Sequence, residues 1–276
     1  MPSTEFAFFT GLPRTGSTIV KCVLNQNPDI YASKNSPVCN TMWNIPELVC
    51  GNISYQASPN EKGLDLIMQN FLPLYYHNKV GNKKIIFDKG FSWGAPGNYN
   101  MIKKVLRCNP RFLVTTRKFE EVIDSLERLT KKYPDNNIFT NGMIPNPDLS
   151  FRDNLVNHLM QPKHVLHLAL MGLDNLKNNH QKDTFFIEYD DFCNNPEKIL
   201  KDFYKFFKLP YFKHNLSKID DPDRENDDVY GIPTLHEIRP TIGKLNYEKN
   251  ISNGASRSGE INTSQRASQT TRSSLV

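Results

Sequence analysis

At 276 residues the chain is long enough for one large domain or two small ones, and 38% hydrophobic with 11% aromatic residues is enough to build a sizeable core. Its net charge of +5 suits an anionic ligand but is too weak and too dispersed to argue for nucleic acid as a partner. Five cysteines (Cys22, Cys39, Cys50, Cys108, Cys193) lack any CxxC spacing and read as reduced thiols, not a disulfide frame or a zinc site; no run approaches the roughly 18 apolar residues of a membrane span, and the N-terminus lacks the basic segment of a signal peptide, so a cytoplasmic location is expected.

In chain order, Glu5 to Thr10 reads as a buried strand, and Ser17 to Asn25 as a helix with Ile19, Val20, Val23 and Leu24 on its apolar face. Asn27-Pro28-Asp29 ends that helix. Three further short apolar runs, KKIIFD (83–88), RFLVTT (111–116) and TFFIEY (184–189), are too short for globular helices and read as strands covered on both faces. Helical patterns occupy 61–77, 98–107, 119–132, about 152–178 with a kink at Pro162, and 196–207. Strands alternating with helices predict an α/β fold, P-loop-like and three-layered, with a central parallel sheet flanked by helices. The Pro/Asn/Asp-rich connections 133–150 and 213–235 are long enough to be functional lids. From about Ile251 the sequence loses its aromatics and nearly all its aliphatics, so residues 1–250 are expected to form the domain and 251–276 a low-complexity, disordered tail.

The stretch FFTGLPRTGST (8–18) ends a strand in a loop and opens a helix. Backbone N–H groups and a helix N-terminus in that setting make an anion cradle. Gly11 and Gly16 stand in the register of the nucleoside-triphosphate loop GxxxxGK[ST], but Ser17 occupies the lysine position. That lysine reaches the β- and γ-phosphates, so its replacement argues against a triphosphate. Arg14, inside the loop, can fork onto an oxyanion instead.

GLPRTGST (11–18), followed after eight residues by NPDI (27–30), resembles the 5′-phosphosulfate loop of sulfotransferases that use 3′-phosphoadenosine 5′-phosphosulfate (PAPS), within them the tyrosylprotein and carbohydrate branch. The resemblance spans about 245 residues. It implies that Pro13, Arg14, Thr15, Gly16, Ser17 and Thr18 cradle the 5′-phosphosulfate. It also implies that Arg117, after the strand FLVTT, and Ser125, eight residues on, hold the 3′-phosphate, with Arg128 one turn further on the same helix face. Lys89 of FDKG falls where related enzymes stabilise charge on the bridging oxygen, and Arg14 belongs to the same catalytic set. Tyr189 of FFIEYDDF stands near the adenine or the 3′-phosphate, and Lys244, after the loop that also carries Arg239, closes the donor site. The implied reaction moves a sulfuryl group from PAPS to a hydroxyl or amine of a carbohydrate, peptide tyrosine or small metabolite, releases adenosine 3′,5′-bisphosphate, and requires no metal.

The resemblance breaks at the base. Tyrosylprotein enzymes carry a glutamate shortly after the NPD-like turn, and Asn35 falls at that position here. An asparagine cannot remove a proton, so Asp88, Glu47 and His236 are the candidates, Asp88 first for its place beside Lys89 and His236 second for its suitable pKa. His164 and His167 lack a third ligand of suitable spacing and read as a helix face rather than a metal pair. Two rival readings stay open: a P-loop-type small-molecule kinase, and a non-catalytic PAPS-fold protein that only binds a glycan or peptide. The acceptor is set by loops at 36–60, 133–150 and 213–235, which carry no recognisable code.

Overall fold

Strand β1 (Glu5–Gly11) is apolar on both faces, and side chains alternate across a strand, so it needs cover on each side. Ala7 and Phe9 enter one core and Phe8 the other. The same alternation runs through β3 (Ile85–Lys89), with Ile85 and Phe87 opposite Ile86, and through β4 (Phe112–Thr116), with Leu113 opposite Phe112 and Val114. The structure, a computed structural model, describes residues 4–162 and 164–243.

The first core is closed by α1 (Ser17–Leu24), α9 (Tyr189–Asn194) and α10 (Pro196–Phe206). The second is closed by α2 (Val38–Cys50), α4 (Glu61–Tyr75), α5 (Pro96–Lys104) and α8 (Val165–Asn179), with α3 (Ile53–Ala57) joining α2 to α4. With β2 (Ile30–Asn35) and β5 (Thr184–Glu188), the strands form one parallel five-stranded sheet in the order β2-β3-β1-β4-β5. The result is the expected three-layer α/β architecture. A third core joins Leu12 to α6 (Phe119–Lys132), α7 (Phe151–Leu159), α8, and Ile232 and Leu235 of the late connection.

From β1 the chain crosses through α1 past β3 to the edge strand β2, whereas the connection from β3 crosses the other way, past β1 to β4. That reversal opens a crevice at the carboxyl ends of the strands, where sheets of this kind bind ligands.

Two local readings differ from the structure, and one strand goes unread. The pattern at 152–178 divides into α7 and α8, because Pro162 lacks an N–H and locks its φ, so the chain breaks between Leu159 and Val165. Residues 36–60, read as an acceptor loop, are largely helical; Pro46 within α2 hides the pattern. Strand β2 is an edge strand of mixed composition, IYASKN, recruited by pairing with β3 instead of by its own propensity. Among the described residues no helix is long and apolar enough to cross a membrane. The described cysteines are all free thiols.

Candidate active site

All five strands end at the same crevice, and each end delivers a residue. At the end of β1, Gly11 has φ 137°, and a side chain there would meet the Thr115 carbonyl oxygen of β4 at 2.3 Å, so only glycine lets the loop leave between the two strands. The loop turns through two left-handed residues, Arg14 (φ 65°) and Gly16 (φ 80°). Gly16 caps α1 without any side-chain hydrogen bond, which leaves the first-turn N–H groups of Ser17 and Thr18 to an outside acceptor. The half-buried Ser17 and Thr18 edge this opening and Pro13 is buried behind it. The Thr15 hydroxyl faces inward, donating to the Leu12 carbonyl at 2.7 Å and meeting the Thr115 hydroxyl at 2.7 Å. It braces the loop, and any contact it makes with a ligand is through its backbone.

Basic groups converge around this loop. Arg14 donates through Nε to Ser125 Oγ of α6 at 3.2 Å and through Nη1 to the Leu235 carbonyl. Arg117, just past β4, donates to the Arg14 carbonyl at 3.3 Å, pairs with Glu121 at 2.8 Å, and lies 4.6 Å from the centre of the Tyr189 ring. Tyr189, just past β5, covers the loop so closely that a Cβ on Gly16 would sit 2.6 Å from its ring. Its hydroxyl takes a hydrogen bond from Arg239 at 3.3 Å. Arg14, Ser125, Arg117, Tyr189 and Gly16 are therefore brought together, while Arg128 is exposed one turn further along α6. Lys244 lies outside the described residues.

The ends of β2 and β3 build a second cluster. Lys89 is only 3% exposed, and its backbone N–H is held by Ser33 Oγ at 2.8 Å. Burial pushes its ammonium down to about 8, and the neighbouring Lys21 pushes the same way, against Glu225 and Asp221. Beside it stand groups carried by the connection after α10. His236 Nδ1 lies 2.6 Å from Asp227 Oδ1, and its backbone N–H donates to Asp227 Oδ2 at 2.9 Å. The carboxylate accepts only, so Nδ1 carries the proton and Nε2 keeps its lone pair. Nε2 receives the Asn35 side-chain amide at 3.2 Å. Glu225 accepts from the Asn35 backbone N–H at 3.1 Å, from Asn35 Nδ2 at 3.3 Å and from the Tyr230 hydroxyl at 2.9 Å. Burial and the cation of Lys89 lower the pKa of His236, with Glu225 and Asp227 opposing, so its imidazole is neutral at neutral pH.

Asp88 belongs to neither cluster. It is fully buried, and both of its oxygens are taken by Ser36 (2.8 and 2.7 Å), the Tyr76 hydroxyl and Trp93 Nε1 (2.6 Å). Strand alternation explains this: Lys89 and Asp88 are adjacent in β3 and so point to opposite faces. The carboxylate ties β3 to α2, α4 and Trp93, with no lone pair open to an acceptor. Glu47 is exposed on α2, lining an outer groove of about 760 Å³ with Thr41, Asn44 and Leu48. His164 caps the start of α8, and among the described residues no group of three His, Cys, Asp or Glu could hold a metal.

Asp227 and Glu225 are site groups that the sequence does not reveal. The only signal is an acidic run, DDPDREND (220–227), ahead of a single histidine nine residues on, without periodicity to align them.

No protein-family profile matches the chain, and no curated protein matches it by sequence. Solved structures do. The sulfotransferase domain from the curacin biosynthetic pathway superposes with a TM-score of 0.56 at 15% identity, covering 92% of this chain and 98% of that one. The sulfotransferase domain of the Synechococcus PCC 7002 olefin synthase gives 0.52 at 14% identity, covering 95% and 98%. A sulfotransferase from Alicyclobacillus acidocaldarius gives 0.50 at 17% identity, covering 80% and 87%. At these identities the likeness is one of fold: over nearly its whole described length, the chain has the α/β architecture found in sulfotransferases.

Proposed function

We propose that this protein is a PAPS-dependent sulfotransferase acting on a hydroxyl or amine acceptor. One observation carries the reading: a lysine-free anion cradle with converging arginines stands at the same crevice as a buried lysine and a paired Asp–His base. A triphosphate enzyme would need the loop lysine that Ser17 replaces.

The residues present fit the donor. The free first-turn N–H groups of α1 and the Arg14 loop take the 5′-phosphosulfate; Arg117 and Ser125 take the 3′-phosphate; Tyr189 and Arg239 flank the nucleotide. PAPS supplies the sulfuryl group. His236, not Asp88, takes the acceptor's proton: its Nε2 lone pair meets only the Asn35 amide at 3.2 Å, which an entering hydroxyl replaces, while both Asp88 oxygens are buried and held by Ser36, Tyr76 and Trp93. Asp227 fixes the tautomer and balances the imidazolium once the proton arrives. Lys89, protonated below about 8, balances negative charge on the oxygen that leaves with the nucleotide. The products are a sulfated acceptor and adenosine 3′,5′-bisphosphate.

Adenosine 3′,5′-bisphosphate should raise the melting temperature well above the shift given by ATP with magnesium, because a ligand bound only by the folded state stabilises it by mass action. Label from [³⁵S]PAPS should then move to an acceptor in a screen of saccharides, lipids and tyrosine peptides. Equal melting shifts from the two nucleotides would return the kinase reading to first place. Donor binding without transfer would favour the non-catalytic binder.

A further inference from the structure

Asn35 makes three hydrogen bonds, and together they fix which way its amide points. The backbone N–H and Nδ2 both donate to the Glu225 carboxylate, which also accepts from Tyr230. The remaining Nδ2 hydrogen faces the lone pair of His236 Nε2. The nitrogen must therefore lie on the Glu225–His236 side, and the carbonyl on the other. That carbonyl oxygen, Oδ1, is buried without a hydrogen-bond partner. A buried acceptor left unpaired costs free energy until a donor reaches it.

We propose that Asn35 reads the acceptor: Oδ1 receives a hydrogen bond from a second O–H or N–H beside the reacting hydroxyl, so the preferred acceptors are vicinal diols and amino alcohols. The proposal rests on the sulfotransferase reading. A hydroxyl entering between Asn35 and His236 accepts from Nδ2 and donates its own proton to Nε2. Its neighbour on the next carbon then lies along the same amide edge, where only a donor satisfies Oδ1. A planar amide presents one donor and one acceptor side by side, which matches an adjacent pair of groups better than a lone hydroxyl. Asn35 is a positioning residue in this scheme: it orients the acceptor while His236 takes the proton.

The test uses the full chain saturated with adenosine 3′,5′-bisphosphate and titrated, by melting temperature, with cis-1,2-cyclohexanediol or with cyclohexanol. In the wild type the diol should bind about tenfold more tightly, the worth of one buried hydrogen bond. In Asn35→Ala and Asn35→Leu the ratio should fall to about one, and either variant suffices if the other does not fold. Equal affinities in the wild type, including no binding by either alcohol, overturn the proposal, since Oδ1 then takes no part in acceptor binding. A preference that persists in the variants also overturns it. If adenosine 3′,5′-bisphosphate gives no shift before any alcohol is added, the sulfotransferase reading itself fails and takes this proposal with it.

Discussion

The two halves of the crevice are built by different means. The half proposed to hold the donor is mostly backbone: one contiguous loop, Gly11 to Thr18, whose left-handed residues and helix N-terminal N–H groups shape the cradle, with arginines added from neighbouring strand ends. The half proposed to meet the acceptor is mostly side chain, joined across the length of the chain. Asn35 meets Glu225 across 190 residues and His236 across 201, and Lys21 meets Asp221 across 200. A backbone site is encoded in local spacing. A side-chain site exists only once the late connection closes over the sheet, so its integrity depends on the contacts that hold that connection down.

The contrast breaks most sharply at His236. His236→Gln should lower kcat by about 10²–10⁴-fold, the usual contribution of a general base, while affinity for adenosine 3′,5′-bisphosphate holds. Asp227→Asn should lower kcat in the same direction, because the one remaining oxygen cannot serve both the His236 backbone N–H and Nδ1, and an amide N–H turned toward Nδ1 reverses the tautomer. Asp88→Asn should instead lower the melting temperature and leave the acid side of the pH profile in place, since its carboxylate only ties β3 to its neighbours. Full activity in His236→Gln would move the base elsewhere.

The next effect is on the fastening of the late connection. Lys21 Nζ and Asp221 Oδ1 pair at 2.7 Å with side chains 3% and 7% exposed. Removing one partner strands a buried charge, so Lys21→Ala should cost about 3–5 kcal/mol in denaturant unfolding. The exposed pair Lys34–Asp223 fastens the same segment in water, and Lys34→Ala should cost about 0–1 kcal/mol. Equal losses in the two variants would mean that the buried pair does not anchor the segment.

This division also explains what the sequence made legible. Strands β1, β3, β4 and β5 announce themselves because both faces are apolar, and the apolar face of α6 is regular enough for the sequence to predict its observed bounds. The loop from Gly11 to Thr18 is readable because its geometry depends on residues at fixed spacing. Edge strand β2 was not, because IYASKN becomes a strand only against β3. Adjacency to Lys89 puts Asp88 ahead of His236 in sequence, yet neighbours along a strand point apart, whereas Lys89 and the distant His236 share one cluster. Glu225 and Asp227 sit in a connection without a repeat, and no local rule places such residues beside β2.

A smaller effect separates binding from stability in the donor half. Arg117→Ala should weaken adenosine 3′,5′-bisphosphate by about 1.5–3 kcal/mol in calorimetry, the worth of a charge-assisted contact. The partly exposed i,i+4 pair with Glu121 is worth only about 0.3–0.5 kcal/mol to folding, so the melting temperature of the free protein should barely move. Unchanged nucleotide affinity would remove Arg117 from the donor site.

The mildest test is a pH profile, and it separates the acceptor cluster's two titrating groups. His236 must be neutral to accept a proton, and its pKa is lowered, so kcat/KM should fall only below the ordinary histidine value of about 6.5. Lys89 must be charged, and burial, helped by Lys21 and opposed by Glu225 and Asp221, brings its ammonium down to about 8, so kcat/KM should fall again as pH rises through that value. Stability should move the opposite way. Between about 8 and the unfolded lysine value of about 10.4, the unfolded chain holds a proton that folded Lys89 has released, so this group makes the fold more stable as pH rises. Lys89→Arg keeps its charge throughout, so its alkaline fall in kcat/KM and its alkaline gain in stability should both disappear, even if its activity is lower. An alkaline fall that stays near pH 8 in Lys89→Arg would belong to another group and would detach Lys89 from the leaving oxygen.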